Sequence, residues 1–154
     1  MPNYSIERDE KAYCTFSTDV REYFVIELSP TEFEVSADML RLVPIGTRGL
    51  RIESFYRPVG GKSVRITGEI PDVEVLILRC ASVGLETDDI FAKCRSLQYV
   101  WISKHAEPLF QTMKYLPNLP LKHMGFNGFG LAQNWSPEFS ALLKSKNVKT
   151  SHIY

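Results

Sequence analysis

Leu97-Gln98-Tyr99-Val100-Trp101-Ile102, followed 24 residues on by Leu121-Lys122-His123-Met124-Gly125-Phe126, carries one apolar residue and then two more, three and five positions later. The same triplet stands earlier at Tyr23-Ile26-Leu28, Thr47-Leu50-Ile52 and Val73-Leu76-Leu78, and again at Val148-Ser151-Ile153. The six starts lie 24 to 27 residues apart. A period of that size predicts a stacked array, in which each unit is a short strand plus a return segment that buries its apolar face only against its neighbours. Return segments of 18 to 21 residues are too long for hairpins, so parallel strands with right-handed crossovers are expected.

The return segments differ in character. In the first, Ser36 or Asp38 is placed to cap a short helix. The second, residues 53–72, contains Pro58, Gly60, Gly61, Gly68 and Pro71, which disfavour a helix, while Val64-Arg65-Ile66-Thr67 reads as an extra strand. After Thr87, Asp88 and Asp89 precede Ile90, Phe91 and Cys94 at helical spacing, with Lys93 and Arg95 in the last turn. Pro108 opens a predicted helix through Leu109, Phe110, Met113 and Leu116. Ser136-Pro137-Glu138 opens another, burying Phe139, Leu142 and Leu143 and ending near Asn147. Residues 1–22 stand outside the repeat as an N-terminal cap: about ten residues of loose tail, then a short strand or hairpin around Tyr13 to Phe16.

The LxxLxL form of residues 97–102 and 121–126, with valine first at residues 73–78, resembles the leucine-rich-repeat family over about residues 23–154. That resemblance implies an α/β fold: a short solenoid of about six parallel strands with helical or irregular returns and an N-terminal β cap. The asparagine that the family places three residues beyond the triplet is replaced by Thr31, Phe55, Ala81, His105 and Phe129. A stack without that ladder is expected to be less regular.

Charge and composition narrow the function classes. Eighteen basic and 18 acidic side chains cancel over 154 residues, so no long-range field attracts nucleic acid or an anionic membrane. No apolar run approaches the roughly 20 residues of a membrane span, and Met1 to Lys11 lacks a signal-peptide core. Cys14, Cys80 and Cys94 do not read as a disulfide framework, so a cytoplasmic setting is expected.

Side chains alternate along a strand, so the residues between core positions are assigned to an open face. The middle row reads Glu27, Arg51, Ile77, Trp101, Gly125, His152; the rows beside it contain Val75, Tyr99 and His123, and Glu53, Arg79 and Asn127. Tyr99, Trp101, Ile77, Arg79, Arg51, Glu27, Glu53, His123 and Asn127 are therefore the candidate partner-binding residues, since aromatics and arginine dominate interface energetics. The competing expectation is that the chain itself covers this face.

Chemical motifs are weak. Gly61-Lys62-Ser63 has Tyr56 where a phosphate loop needs glycine, and no histidine or cysteine pair has metal-ligand spacing, so neither cofactor nor metal is expected. The leading expectation is a non-catalytic protein-binding module. Small chains of this design resemble bacterial immunity proteins, which neutralise a cognate toxin domain by occluding its active site. Two alternatives remain open: a small hydrolytic or phosphate-handling enzyme using His123, His152 and Tyr154 with Arg79, and a structural protein self-associating through its C-terminal edge strand.

Overall fold

A computed structural model describes residues 2–8, 16–54, 64–80, 83–85, 88–102, 116–127 and 137–153. Its elements are β1 (Asn3–Arg8), β2 (Glu22–Leu28), β3 (Glu34–Val35), α1 (Ala37–Leu40), β4 (Gly49–Ser54), β5 (Val64–Ile66), β6 (Val75–Arg79), β7 (Val83–Leu85), β8 (Tyr99–Ile102), β9 (His123–Asn127), α2 (Pro137–Ser145) and β10 (Lys149–Ile153), with 3-10 turns at Asp88–Phe91 and Leu116–Asn118. Two sheets result, a seven-stranded one in the order β1-β2-β4-β6-β8-β9-β10 and a three-stranded one in the order β3-β5-β7. From β2 to β7 the chain passes alternately from one sheet to the other. Every pairing is parallel except β1 with β2. The fold is α/β, with a mostly parallel, open sheet and few helices.

The four central triplets share rungs. Leu50, Leu76, Val100 and Met124 are successive register partners, as are Ile52, Leu78, Ile102 and Phe126. The outer two triplets do not fall where the spacing predicts. Ile26 pairs with Ile52 rather than Leu50, a two-residue displacement that keeps its face. Tyr23 explains it: its ring lies over Gly49, where an added Cβ would stand 2.6 Å from Tyr23 Cδ1. At the other end Thr150 pairs with Met124 and Ser151 with Gly125, one residue out, which exchanges the two faces of β10. Asn147, left-handed at φ 54, takes up the odd residue between α2 and β10.

Beneath the large sheet lies the main core. Leu50, Ile52, Leu76, Leu78, Val100 and Met124 meet Val35, Val64 and Ile66 of the small sheet and the return residues Ile70, Ile90, Phe91 and Leu97. Each buried Leu or Ile contributes about 1.5–3 kcal/mol, so this layer is the main source of stability. Cys80 and Cys94 belong to it; their thiols donate to the carbonyls of Ile52 on β4 (3.7 Å) and of Ile70 in the segment before β6 (3.6 Å).

The return segments follow local chemistry. Ser36 caps α1, its hydroxyl accepting from the Met39 N–H at 3.3 Å, and Val64–Ile66 forms the extra strand β5. Asp88–Phe91 is a 3-10 turn rather than an α-helix, with Ile90, Phe91 and Cys94 buried. α2 begins at Pro137 and buries Leu143. The predicted helix after Pro108, the strand around Tyr13 and the Gly61-Lys62-Ser63 turn lie largely or wholly outside the described residues. The loose tail expected at the N-terminus is instead β1, antiparallel to β2 from Asn3 opposite Glu27 to Arg8 opposite Glu22.

Above the large sheet is a second cluster: Tyr23, Val25, Val75, Ile77, Tyr99 and Trp101, covered by Phe16 and Val20. Trp101 lies across its rung partner Gly125, where an added Cβ would stand 2.2 Å from the indole Cε3. Overpacking of this kind costs about 1–3 kcal/mol. Gly125→Ala is therefore expected to lower stability by that amount in chemical denaturation, and a Trp101→Leu background is expected to remove most of the loss.

Candidate functional site

The face above the sheet was the expected docking platform, and the structure buries it. Trp101 is 3% exposed, Tyr99 7%, Ile77 1% and His123 3%. The cover comes from the chain itself. Phe16 packs edge-on against His123 (centroids 4.8 Å) and Trp101 (6.5 Å) and tilts on Tyr99 (5.3 Å), while the Tyr99 hydroxyl donates to the Ser17 carbonyl at 2.7 Å. Asp19 accepts from Arg48 Nη2 at 2.8 Å, which holds its carboxyl below the usual range and anchors the segment's far end. Placing these aromatics on an accessible surface is thereby corrected.

The charged candidates form a separate corner of the same face. Arg51 and Glu53, two apart on β4, are both nearly inaccessible and form an ion pair; Arg51 also reaches Glu7 of β1, and Arg79 Nη1 donates to Glu53 Oε1 at 3.2 Å. Burial pushes the Glu53 carboxyl up, against the opposing pull of Arg51 and Arg79. Arg51 and Glu53 are thus held inside the fold rather than presented to a partner. Glu27 is half-buried on the β2 rung opposite Glu53. Asn127 is the last residue of β9.

Of the residues of the enzyme alternative, Arg79 lies on β6, His123 on β9 and His152 on β10. His123 sits under Phe16, its pKa lowered by burial and by Lys149, its register partner on β10. His152 pairs with Phe126 rather than Gly125, and Tyr154 lies outside the described residues. Burial pushes the Cys80 and Cys94 thiols up to about 12, far from nucleophilic thiolates at neutral pH. Among the described residues, no group of three His, Cys, Asp or Glu side chains is placed to hold a metal ion. No helix among them is long and apolar enough to cross a membrane.

Accessible apolar surface gathers instead at the N-terminal end of the sheet. A cleft of about 610 Å³ is lined by Ile6, Phe24, Pro44 and Ile45 together with the charged Arg8, Arg21, Glu22 and Arg48. Ile6 is 63% exposed and Ile45 fully so, at the tip of a turn closed by the Thr47 N–H on the Pro44 carbonyl (3.2 Å). Gly46, at φ +89, makes that turn possible. Tyr4 extends the patch, its ring 6.1 Å from Phe24. The repeat pattern missed this surface because it begins at Tyr23, though the alternation Tyr4, Ile6 against Ser5, Glu7 was readable as an amphipathic strand.

No family model matches this chain, and no curated protein or solved structure matches it.

His123 gives this region a pH signature. Its folded pKa lies below 6.5 while the unfolded chain titrates near 6.5, so its contribution is present above that value and is lost as pH falls through the folded pKa. Glu53, raised above 4.5, has the opposite sign: its contribution is present below 4.5 and is lost as pH rises through the folded value. In denaturant titrations from about pH 8 to about pH 5, wild type is expected to lose stability relative to His123→Gln as pH drops. A constant difference across that range would remove the buried neutral imidazole from the account.

Proposed function

We propose that this chain is a non-catalytic protein-binding module of leucine-rich-repeat-like solenoid design, acting in the cytoplasm as an immunity protein that occludes the active site of a cognate bacterial toxin domain. The solenoid reading is supported by consecutive parallel strands of 24- to 26-residue spacing that keep one register from β4 to β9. The binding reading is carried by one observation, the exposed Ile6 and Ile45 beside Phe24 in an open cleft that arginines also line. Accessible apolar side chains mixed with arginine have the composition of an interface. Against the enzyme alternative stand the raised pKa values of two thiols and the burial of His123 beneath an aromatic ring.

The docking surface in this proposal is the N-terminal end of the sheet. Its test uses the purified product of the adjacent reading frame, titrated calorimetrically and assayed for toxin activity. A tight complex that abolishes that activity is expected. Ile6→Asp with Ile45→Asp is expected to weaken it about 30-fold or more, the size of a single hot spot, with an unchanged circular dichroism spectrum. Absence of a complex, or one indifferent to both substitutions, would end this reading.

A further inference from the structure

The large sheet ends at β1, all six of whose residues are exposed and whose outer edge pairs with no strand among the described residues. An unpaired edge presents a row of backbone donors and acceptors, and proteins ordinarily blunt such an edge with charge, proline or a bulge. Here the edge residues between Asn3 and Arg8 include only one acid and one base, and the acid, Glu7, is already held by Arg51. We propose that the occupant of this edge is a second copy of the chain, its β1 running antiparallel to the first about a twofold axis through Ile6, so that two seven-stranded sheets join into one.

Self-complementarity carries the assignment. Register with β2 puts Tyr4, Ile6 and Arg8 on one face of β1, and Asn3, Ser5 and Glu7 on the other. Rotation about Ile6 sets Ile6 against the partner's Ile6, Arg8 against the partner's Tyr4, and Ser5 against the partner's Glu7. No like charges meet, and a guanidinium faces an aromatic ring on both sides of the axis. The two most exposed apolar residues of the cleft, Ile6 and Ile45, then border a surface the partner also makes apolar. Each chain carries no net charge, so no long-range repulsion between whole chains opposes their approach. Such a contact is isologous and closes on itself, giving a dimer rather than a fibre.

This inference rests on reading the N-terminal end as the docking surface, and deepens it: a toxin domain binding there competes with the second copy. Sedimentation equilibrium of the wild-type chain over a concentration series is expected to show the mass rising from 17.6 kDa toward double that value, and Ile6→Lys is expected to hold it at 17.6 kDa throughout. A Cys14→Ser, Ile6→Cys chain is expected to form a disulfide-linked dimer on mild oxidation, because opposed antiparallel residues lie about 4.5–5.5 Å apart at Cα. Tyr4→Cys in the same background is expected not to, its two copies being roughly 13 Å apart. A wild-type chain that stays monomeric, an Ile6→Lys chain that still dimerises, or crosslinking at Tyr4 in place of Ile6 would overturn the proposal. Dimerisation without a complex with the adjacent gene product would leave the dimer standing and remove only the toxin reading.

Discussion

A parallel sheet built from crossovers needs cover on both faces, because apolar strands within it are apolar on alternate residues and in between. Leu76 and Leu78 of β6 point to the small sheet below, and Val75 and Ile77 point up; all four are buried. The lower cover is built into the repeat. The upper cover is not, and residues 16–20, which precede the first repeated strand, supply it through Phe16 and Val20. Tyr23 over Gly49 and Trp101 over Gly125 fill the same layer by placing large rings where the neighbouring strand has no side chain. The chain's apparent platform is therefore a second core, and its thickness is set by two aromatics and two glycines.

The charged corner of that upper layer has a different role from stability. Desolvating Arg51 and Glu53 costs several kcal/mol per ion, and their attraction does no more than offset it. What the cluster does is geometric. Glu7 reaches Arg51 across β2, so β1 is tied to β4 as well as to its neighbour, and an otherwise exposed strand is held in one register. Arg79 continues the tie to β6 through Glu53. Three strands on the N-terminal side are thus keyed together by charges as well as by the Tyr23 ring over Gly49.

Much of this architecture was legible in the triplets. Where leucine, isoleucine, valine, methionine and phenylalanine occupy both strand positions, from Leu50 to Phe126, the spacing matches the observed rungs, because a one-residue slip there would exchange the two differently packed faces. At the ends the triplets contained Tyr23 and Ser151, residues that do not demand the core, and pairing was decided by a ring over Gly49 and by the turn at Asn147. The candidate site was less legible. Val75-Leu76-Ile77-Leu78 and Tyr99-Val100-Trp101 are continuous apolar runs rather than alternating ones, which is the pattern of strands covered on both sides. Reading Ile77 and Trp101 as an open row took the repeat's period as the whole signal. The distant Phe16 that covers them has no periodic relation to the strands.

The cover also determines which surface is left for recognition. Once residues 16–20 occupy the upper face and the small sheet the lower one, apolar area remains accessible at the N-terminal end of the large sheet, at Ile6, Phe24 and Ile45. An open sheet has this problem by construction, since its first strand has no predecessor to cover it. β1 relieves only the backbone part: it satisfies the edge of β2 and presents Tyr4 and Ile6 in turn. The apolar end is thus passed outward by one strand rather than closed. The neutral chain as a whole adds no long-range field there, so the charges that act at this end are the local ones of Arg8, Arg21, Glu22 and Arg48 beside the apolar side chains.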